Sequence, residues 1–248
     1  MRILALLFLA FCACAPIEPA PKTVPSSQQS PAINRSAQDA VEAYIRVGSR
    51  IERVAERVCR EKNPSRPRAY CDFQLKVDPS ETEIPNAYQT IGADGRPIIA
   101  FNIPMLATVR NDDEIAFILG HESGHQIANH IVRATTNANL GAILLGGLMA
   151  ASGADASSVL EAQNIGGTIG ARAYSQSHEL EADVIGTYVA TLAGYNPEIG
   201  ARSFARLAGR GGGFLSTHPP STQRIAAVQR TIQQIERERA AGRPIMLP

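Results

Sequence analysis

Gly120-His121-Glu122-Ser123-Gly124-His125 is the stretch of this sequence best equipped for chemistry. On an α-helix, positions four apart lie about 40° from each other around the axis and one turn apart along it. His121 and His125 therefore project from one face, and both imidazoles can reach a single metal ion. Glu122 is rotated by about 100°, to the edge of that face, where it can meet a water beside the metal without becoming a ligand. An H-E-x-x-H helix thus offers two zinc ligands and a general base. The plainer alternative is a pair of exposed helix histidines flanking a salt-bridging glutamate. Against it, Ile115-Ala116-Phe117-Ile118-Leu119 leads straight into the motif, so the helical run from Glu114 to Ile131 enters a core. Unpaired imidazoles and a carboxylate would be costly there.

A catalytic centre needs a third ligand. The chain has five histidines and none precedes His121, so the partners lie in its second half. His130 is about 140° around the helix from His125 and faces away unless the helix breaks, which makes it a surface or second-layer residue. His178-Glu179-Leu180-Glu181-Ala182-Asp183 is the better source. Glu179 and Asp183 share one helical face, with Glu181 turned away, and small Ala182 and Gly186 would allow close approach to the metal helix. Glu179 can ligate zinc while Asp183 orients a ligand imidazole through its second ring nitrogen. Two histidines and one glutamate leave an open coordination position, which catalysis requires.

These motifs, followed by Thr217-His218-Pro219-Pro220 and Arg224, together resemble peptidase family M48, from about Asn86-Ala87-Tyr88 to Arg224. The resemblance implies a gluzincin-type metallopeptidase with zinc on His121, His125 and Glu179, Glu122 as base and Asp183 supporting. It also implies that His218 lies over the site, either to bind the oxyanion with Arg224 assisting or to act as a fourth ligand that keeps the enzyme latent. A histidine that only caps the last helix is the third option. Gln176 departs from the arginine many members carry after Tyr-Ser, and His178 is unusual so close to a ligand. Small single-domain bacterial periplasmic lipoproteins of this family are associated with envelope protein quality control. The expected partners are therefore protein or peptide substrates.

The elements that must hold this site are legible in outline. Ser36-Ala37-Gln38-Asp39 caps a helix whose apolar positions run from Ala37 through Val41, Tyr44, Gly48, Ile51 and Ala55 to Val58. Its outer face of Arg46, Arg50, Arg53, Arg57 and Arg60 alternates with glutamates and reads as a solvated ion-pair surface. Cys71, Phe73, Leu75 and Val77 alternate as in a strand. Pro79–Pro85 reads as loop and Gly92–Gly95 as a turn. Ile98–Phe101 is read as an edge strand to which substrate backbone could add. Leu140–Ala151 is the most apolar stretch after the leader and too short to span a bilayer. A buried helix is the first reading, with a mobile flap or a membrane-contacting segment as alternatives. Helices follow over Tyr174–Leu192 and Pro197–Ala208, then a flexible Gly209–Gly213 break. A last helix buries Ile225, Val228, Ile232 and Ile235. The expected fold is α+β, mostly α: a zincin-like domain with a small β-sheet beside the metal helix.

At 248 residues there is room for one substantial domain with a tail. A net charge of +1 and scarce aromatics (5%, no Trp) argue against nucleic acid. Met1-Arg2, the apolar Ile3–Phe11 and Ala13-Cys14 resemble a bacterial lipoprotein signal, with Cys14 as the lipidated residue and Cys12 as the alternative. A simple secretory signal is the plainer reading. The domains are then 1–13 signal peptide, 14–34 Pro-rich tether, 35–239 metallopeptidase domain and 240–248 tail. The expected location is the bacterial periplasm, lipid-anchored, at the outer membrane. In an oxidising compartment Cys59 and Cys71 fit one disulfide; in a reducing one they would be two buried thiols. The sequence therefore points to a zinc metalloendopeptidase of the cell envelope. The rival is a zinc-bound chaperone or binding module with latent or no proteolysis.

Overall fold

The computed structural model describes residues 36–173, 175–207, 214, 218–219 and 222–248. The leader, Cys12, Cys14, the tether, the 209–213 glycine run and Thr217 lie outside them.

Helix α1 (Ala37–Lys62) opens on a capping box in which the Ser36 hydroxyl accepts from the Asp39 N–H and the Asp39 carboxylate accepts from the Ser36 N–H. Its buried stripe is Ala40, Ala43, Tyr44, Val47, Ile51, Ala55 and Val58, while Val41 faces outward. A 3-10 turn (Arg68–Cys71) follows, and Cys71 is joined to Cys59 in a disulfide with Cα atoms 5.6 Å apart. This fastens the end of α1 to the entrance of the sheet.

Three strands make that sheet: β1 (Gln74–Asp78), β2 (Ala87–Ile91) and β3 (Pro97–Asn102), in the order β1-β3-β2. β3 runs parallel to β1 and antiparallel to β2. β2 and β3 form a hairpin over Gly92–Gly95, where Gly95 takes φ +77, a conformation that favours glycine. The expectation that Ile98–Phe101 is an edge is corrected, because β3 is the central strand. Its near-continuous apolar run, buried at four consecutive positions from Ile99 to Asn102, is the pattern of a strand covered on both sides. The cleft-side edge is β2, which the sequence reading passed over.

A short α2 (Ile103–Thr108), capped by Asn102, leads to α3 (Asp112–Ile127). Asn111 caps α3 by accepting from the Glu114 N–H, and Asp112, Asp113 and Glu114 occupy the first turn, at the positive end of the helix dipole. Ile115 to Leu119 are fully buried, so the metal helix does enter the core. It stops at Ile127, four residues before the expected end at Ile131, because Asn129 adopts a left-handed conformation (φ 59) and the chain starts afresh as α4 (His130–Ala151).

Helices α4 and α5 (Ala156–Ala173) form a hairpin whose backbones nearly touch: a Cβ on Gly141 would lie 2.1 Å from the Gly166 carbonyl oxygen. The reading of Leu140–Ala151 as buried is overturned. Leu140, Ile143, Leu144 and Leu148 are 53–72% exposed, since α4 packs on α5 along one side only. Among the described residues no helix is long and apolar enough to cross a membrane. Helix α6 (Ser175–Leu192) crosses α3, and α7 (Pro197–Leu207) and α8 (Thr222–Ala240) cover the far side. The tail returns to α1, where Lys62 Nζ donates to the Pro248 carbonyl (3.0 Å) and Leu247 packs on the core.

Candidate metal centre

The site is built where α3 and α6 cross. A Cβ on Gly120 would lie 2.9 Å from the Gly186 carbonyl oxygen, and one on Gly124 would lie 2.8 Å from that of Ala182. Two backbones in contact bring side chains from both helices to one point. His121, His125, Glu179 and His218 each offer a donor atom there, all within 4.8 Å of one another.

The separations can be tested against a metal. A tetrahedral zinc with ligands at about 2.0–2.2 Å has donor atoms about 3.3–3.6 Å apart. Here His121 Nε2 is 3.1 Å from His125 Nε2 and 3.4 Å from Glu179 Oε2, and His125 Nε2 is 3.4 Å from Glu179 Oε1. His218 Nδ1 lies 3.2 Å from His121 Nε2 and 3.0 Å from Glu179 Oε2. Three imidazoles and a carboxylate at these spacings suit zinc. The electrostatics agree. Burial and Arg224 push His121 down, yet Asp183 and Glu179 outweigh them and leave it raised to about 9, so the centre stabilises positive charge even in a dry environment. Burial alone would raise Glu179, but hydrogen bonds from His121 and His218 hold it well below the usual carboxylate range. Burial, with His121 and His218 nearby, keeps His125 well below its ordinary value, in the neutral form a metal requires.

Behind these donors lies a second layer. His121 Nδ1 is 2.9 Å from Asp183 Oδ1, which fixes Nε2 toward the centre. Arg224 grips Asp183 with Nε and Nη2, both at 2.7 Å. It also donates to the His218 carbonyl (3.1 Å), lies 3.1 Å from Glu179 Oε2 and stacks 4.0 Å over the Phe204 ring. Arg224 is thus built into the wall, holding two carboxylates and the His218 backbone. His218, itself buried, packs its ring against Phe214 and turns Nε2 to within 3.4 Å of Glu122 Oε1.

Glu122 is 1% exposed, and its Oε1 has no hydrogen-bond partner among the described residues. Such an orphaned oxygen is costly unless something polar comes to meet it. It borders a cleft shared with His125, His218 and the β2 residues Tyr88 and Gln89. The bonds from the Asn102 N–H to the Asn86 carbonyl and from the Gly92 N–H to the Arg96 carbonyl fix the pairing parity of β2 with β3. Ala87, Gln89 and Ile91 therefore turn their backbone groups away from β3. The sequence reading missed this edge and the surroundings of His130, which is buried with Nδ1 2.9 Å from His125 Nδ1. Asn129, a residue that tolerates the left-handed region, was the signal for the helix break that brings it there.

Comparison with known proteins agrees with this geometry. The chain is 33% identical over 178 residues to the mitochondrial metalloendopeptidase OMA1 of Saccharomyces cerevisiae, covering 66% of this chain and 49% of that protein. It is 31% identical over 148 residues to the mitochondrial metalloendopeptidase OMA1 of Arabidopsis thaliana, covering 56% of this chain and 30% of that protein. The matched region is thus half or less of each relative's length. The profile described as Peptidase family M48 matches residues 46–232, from the third turn of α1 to the middle of α8. Because that match takes in the crossing of α3 and α6, their side chains and most of the sequence, the chain belongs to peptidase family M48.

Proposed function

We propose that the chain is a zinc metalloendopeptidase. The observation that carries this reading is a buried carboxylate, Glu122, with an unsatisfied oxygen at the floor of a cleft beside four convergent metal donors. Zinc held by His121, His125 and Glu179 would supply Lewis acidity toward a peptide carbonyl and toward water. The remaining work falls to side chains. Glu122 takes the proton of the attacking water as the C–O bond forms, then delivers it to the amine nitrogen as the C–N bond breaks. Asp183 and Arg224 keep the His121 ring in place meanwhile. The outward backbone of β2 offers an extended substrate a strand to pair with, which would draw its scissile bond across the cleft. Glu122→Gln should abolish casein cleavage while zinc content stays at one per chain; continued hydrolysis by that variant would sink the assignment.

A latent form is favoured by one observation: His218 stands inside the donor cluster, at 3.0–3.2 Å from Glu179 and His121. A fourth protein ligand would close the position that substrate needs. A zinc-bound chaperone or binding module without proteolysis is the extreme of that reading.

The physiological setting we infer is the bacterial periplasm, with the chain anchored by lipid at the outer membrane and acting on misfolded or misassembled envelope proteins. The leader-like start with Cys14 supports the anchor. Radiolabelled palmitate should enter the wild-type chain in a bacterial host and not Cys14→Ser; equal labelling of both would move the anchor to Cys12 or remove it.

A further inference from the structure

The two histidines of the metal helix are supported differently. His121 donates its outer N–H to a carboxylate, Asp183. The outer nitrogen of His125 meets a third imidazole instead, with His130 Nδ1 2.9 Å from His125 Nδ1. If His125 presents Nε2 to a metal, its Nδ1 carries the proton and must donate. His130 Nδ1 must then accept, which places the His130 proton on Nε2, 3.2 Å from Glu181 Oε2. The same Glu181 oxygen receives Arg133 Nη1 at 2.6 Å, from the turn after His130. One consistent direction therefore runs from His125 to His130 to Glu181, with Arg133 neutralising the end.

Reversal would turn a bare Nε2 lone pair on the Glu181 carboxylate, and the rest of the local structure holds the ring in place. His130 is 4% exposed, and His178 stacks on its face with ring centres 4.3 Å apart and planes 14° from parallel. Asn129 makes the contact possible, since on an unbroken helix His130 would point about 140° away from His125. Glu181, facing away from the metal on α6, thus serves the donor set from behind.

We propose that His130 is a positioning residue for the metal centre. Locked by Glu181 and His178, it fixes the tautomer and ring orientation with which His125 meets the zinc. The inference rests on the metallopeptidase reading only in taking His125 as a ligand through Nε2.

The test is metal binding by the full chain, read without any substrate. His130→Phe keeps an aromatic ring against His178 but has no acceptor; His130→Asn keeps an oxygen near the position of Nδ1. Competition with a chromophoric chelator should show His130→Phe binding zinc about 10- to 100-fold more weakly than wild type, with His130→Asn recovering most of the loss. In Co²⁺-loaded protein the visible ligand-field band should shift in His130→Phe and return in His130→Asn. Glu181→Ala, at a partly exposed site, should shift the band in the same direction by freeing His130 to take the other tautomer, and it keeps the test available if His130→Phe fails to fold. Unchanged zinc affinity and spectrum in both His130→Phe and Glu181→Ala would overturn the proposal, as would equal damage by Phe and Asn. A wild-type chain and a His218→Ala variant that both bind zinc tightly but cleave nothing would count against the peptidase reading alone, leaving these binding results to decide the role of His130.

Discussion

At the scale of single residues, His218 has the sharpest consequence. Its Nδ1 faces Glu179 and His121 and its Nε2 faces Glu122, so it sits between the donors and the base. Removing the ring should open the cleft: His218→Ala is expected to cleave casein several-fold faster than wild type and to retain one zinc through the other three donors. A fall in rate would assign His218 to oxyanion binding instead, and an unchanged rate to capping. Arg224, expected to assist at the oxyanion, commits its guanidinium to Asp183, Glu179 and the His218 carbonyl, so it acts through those groups. His121, His125, Glu179 and Asp183 were legible from helical arithmetic because each pair lies within one unbroken helix. His130 was not, because the same arithmetic fails across one left-handed residue. Nor could residue types alone choose among the roles of His218, which depend on where a loop sets its ring.

At the scale of elements, the crossing of α3 and α6 sets the size of the metal site. A Cβ on Gly186 would meet the His121 backbone nitrogen at 2.8 Å and its Cα at 3.0 Å, with no flexible side chain to yield. Gly186→Ala should therefore destabilise by about 1–3 kcal/mol despite the better helix propensity of alanine, and weaken zinc binding as the helices part. Gly147→Ala is the matching control, since nothing lies within 4 Å of its added carbon. It should stabilise by about 0.5–1 kcal/mol. Urea unfolding of the two variants should move in opposite directions; a common sign would refute the close-contact argument. Ala182 and Gly186 announced this approach in the sequence. The place of β3 was harder to read, although its apolar run already spoke for a central strand. Leu140–Ala151 misled for another reason: hydrophobicity states a preference for leaving water, not which surface provides the cover.

At the scale of the whole molecule, the disulfide and the returning tail fasten the periphery to α1, and α6 gathers the interior. Closing the short loop between Cys59 and Cys71 removes unfolded-state entropy, so Cys59→Ser with Cys71→Ser should lower unfolding stability by about 2–4 kcal/mol. Urea midpoints that coincide with wild type would deny the bridge any such role. Two cysteines at this spacing were readable as a pair joining a helix end to the next strand; that Cys71 sits in a 3-10 turn ahead of that strand needed the fold. Within two turns α6 sends Glu179 to the metal donors, Glu181 to His130 and Asp183 to His121 and Arg224. Glu179 and Asp183 leave one face of this rigid rod for the two nitrogens of His121, and Glu181 leaves another for His130, so the metal centre is tied to α6 from two directions. Metal loss and fraying of that rod should accordingly be a single event, and amide protons along 179–187 should exchange slowly in the loaded protein and together once a chelator is added.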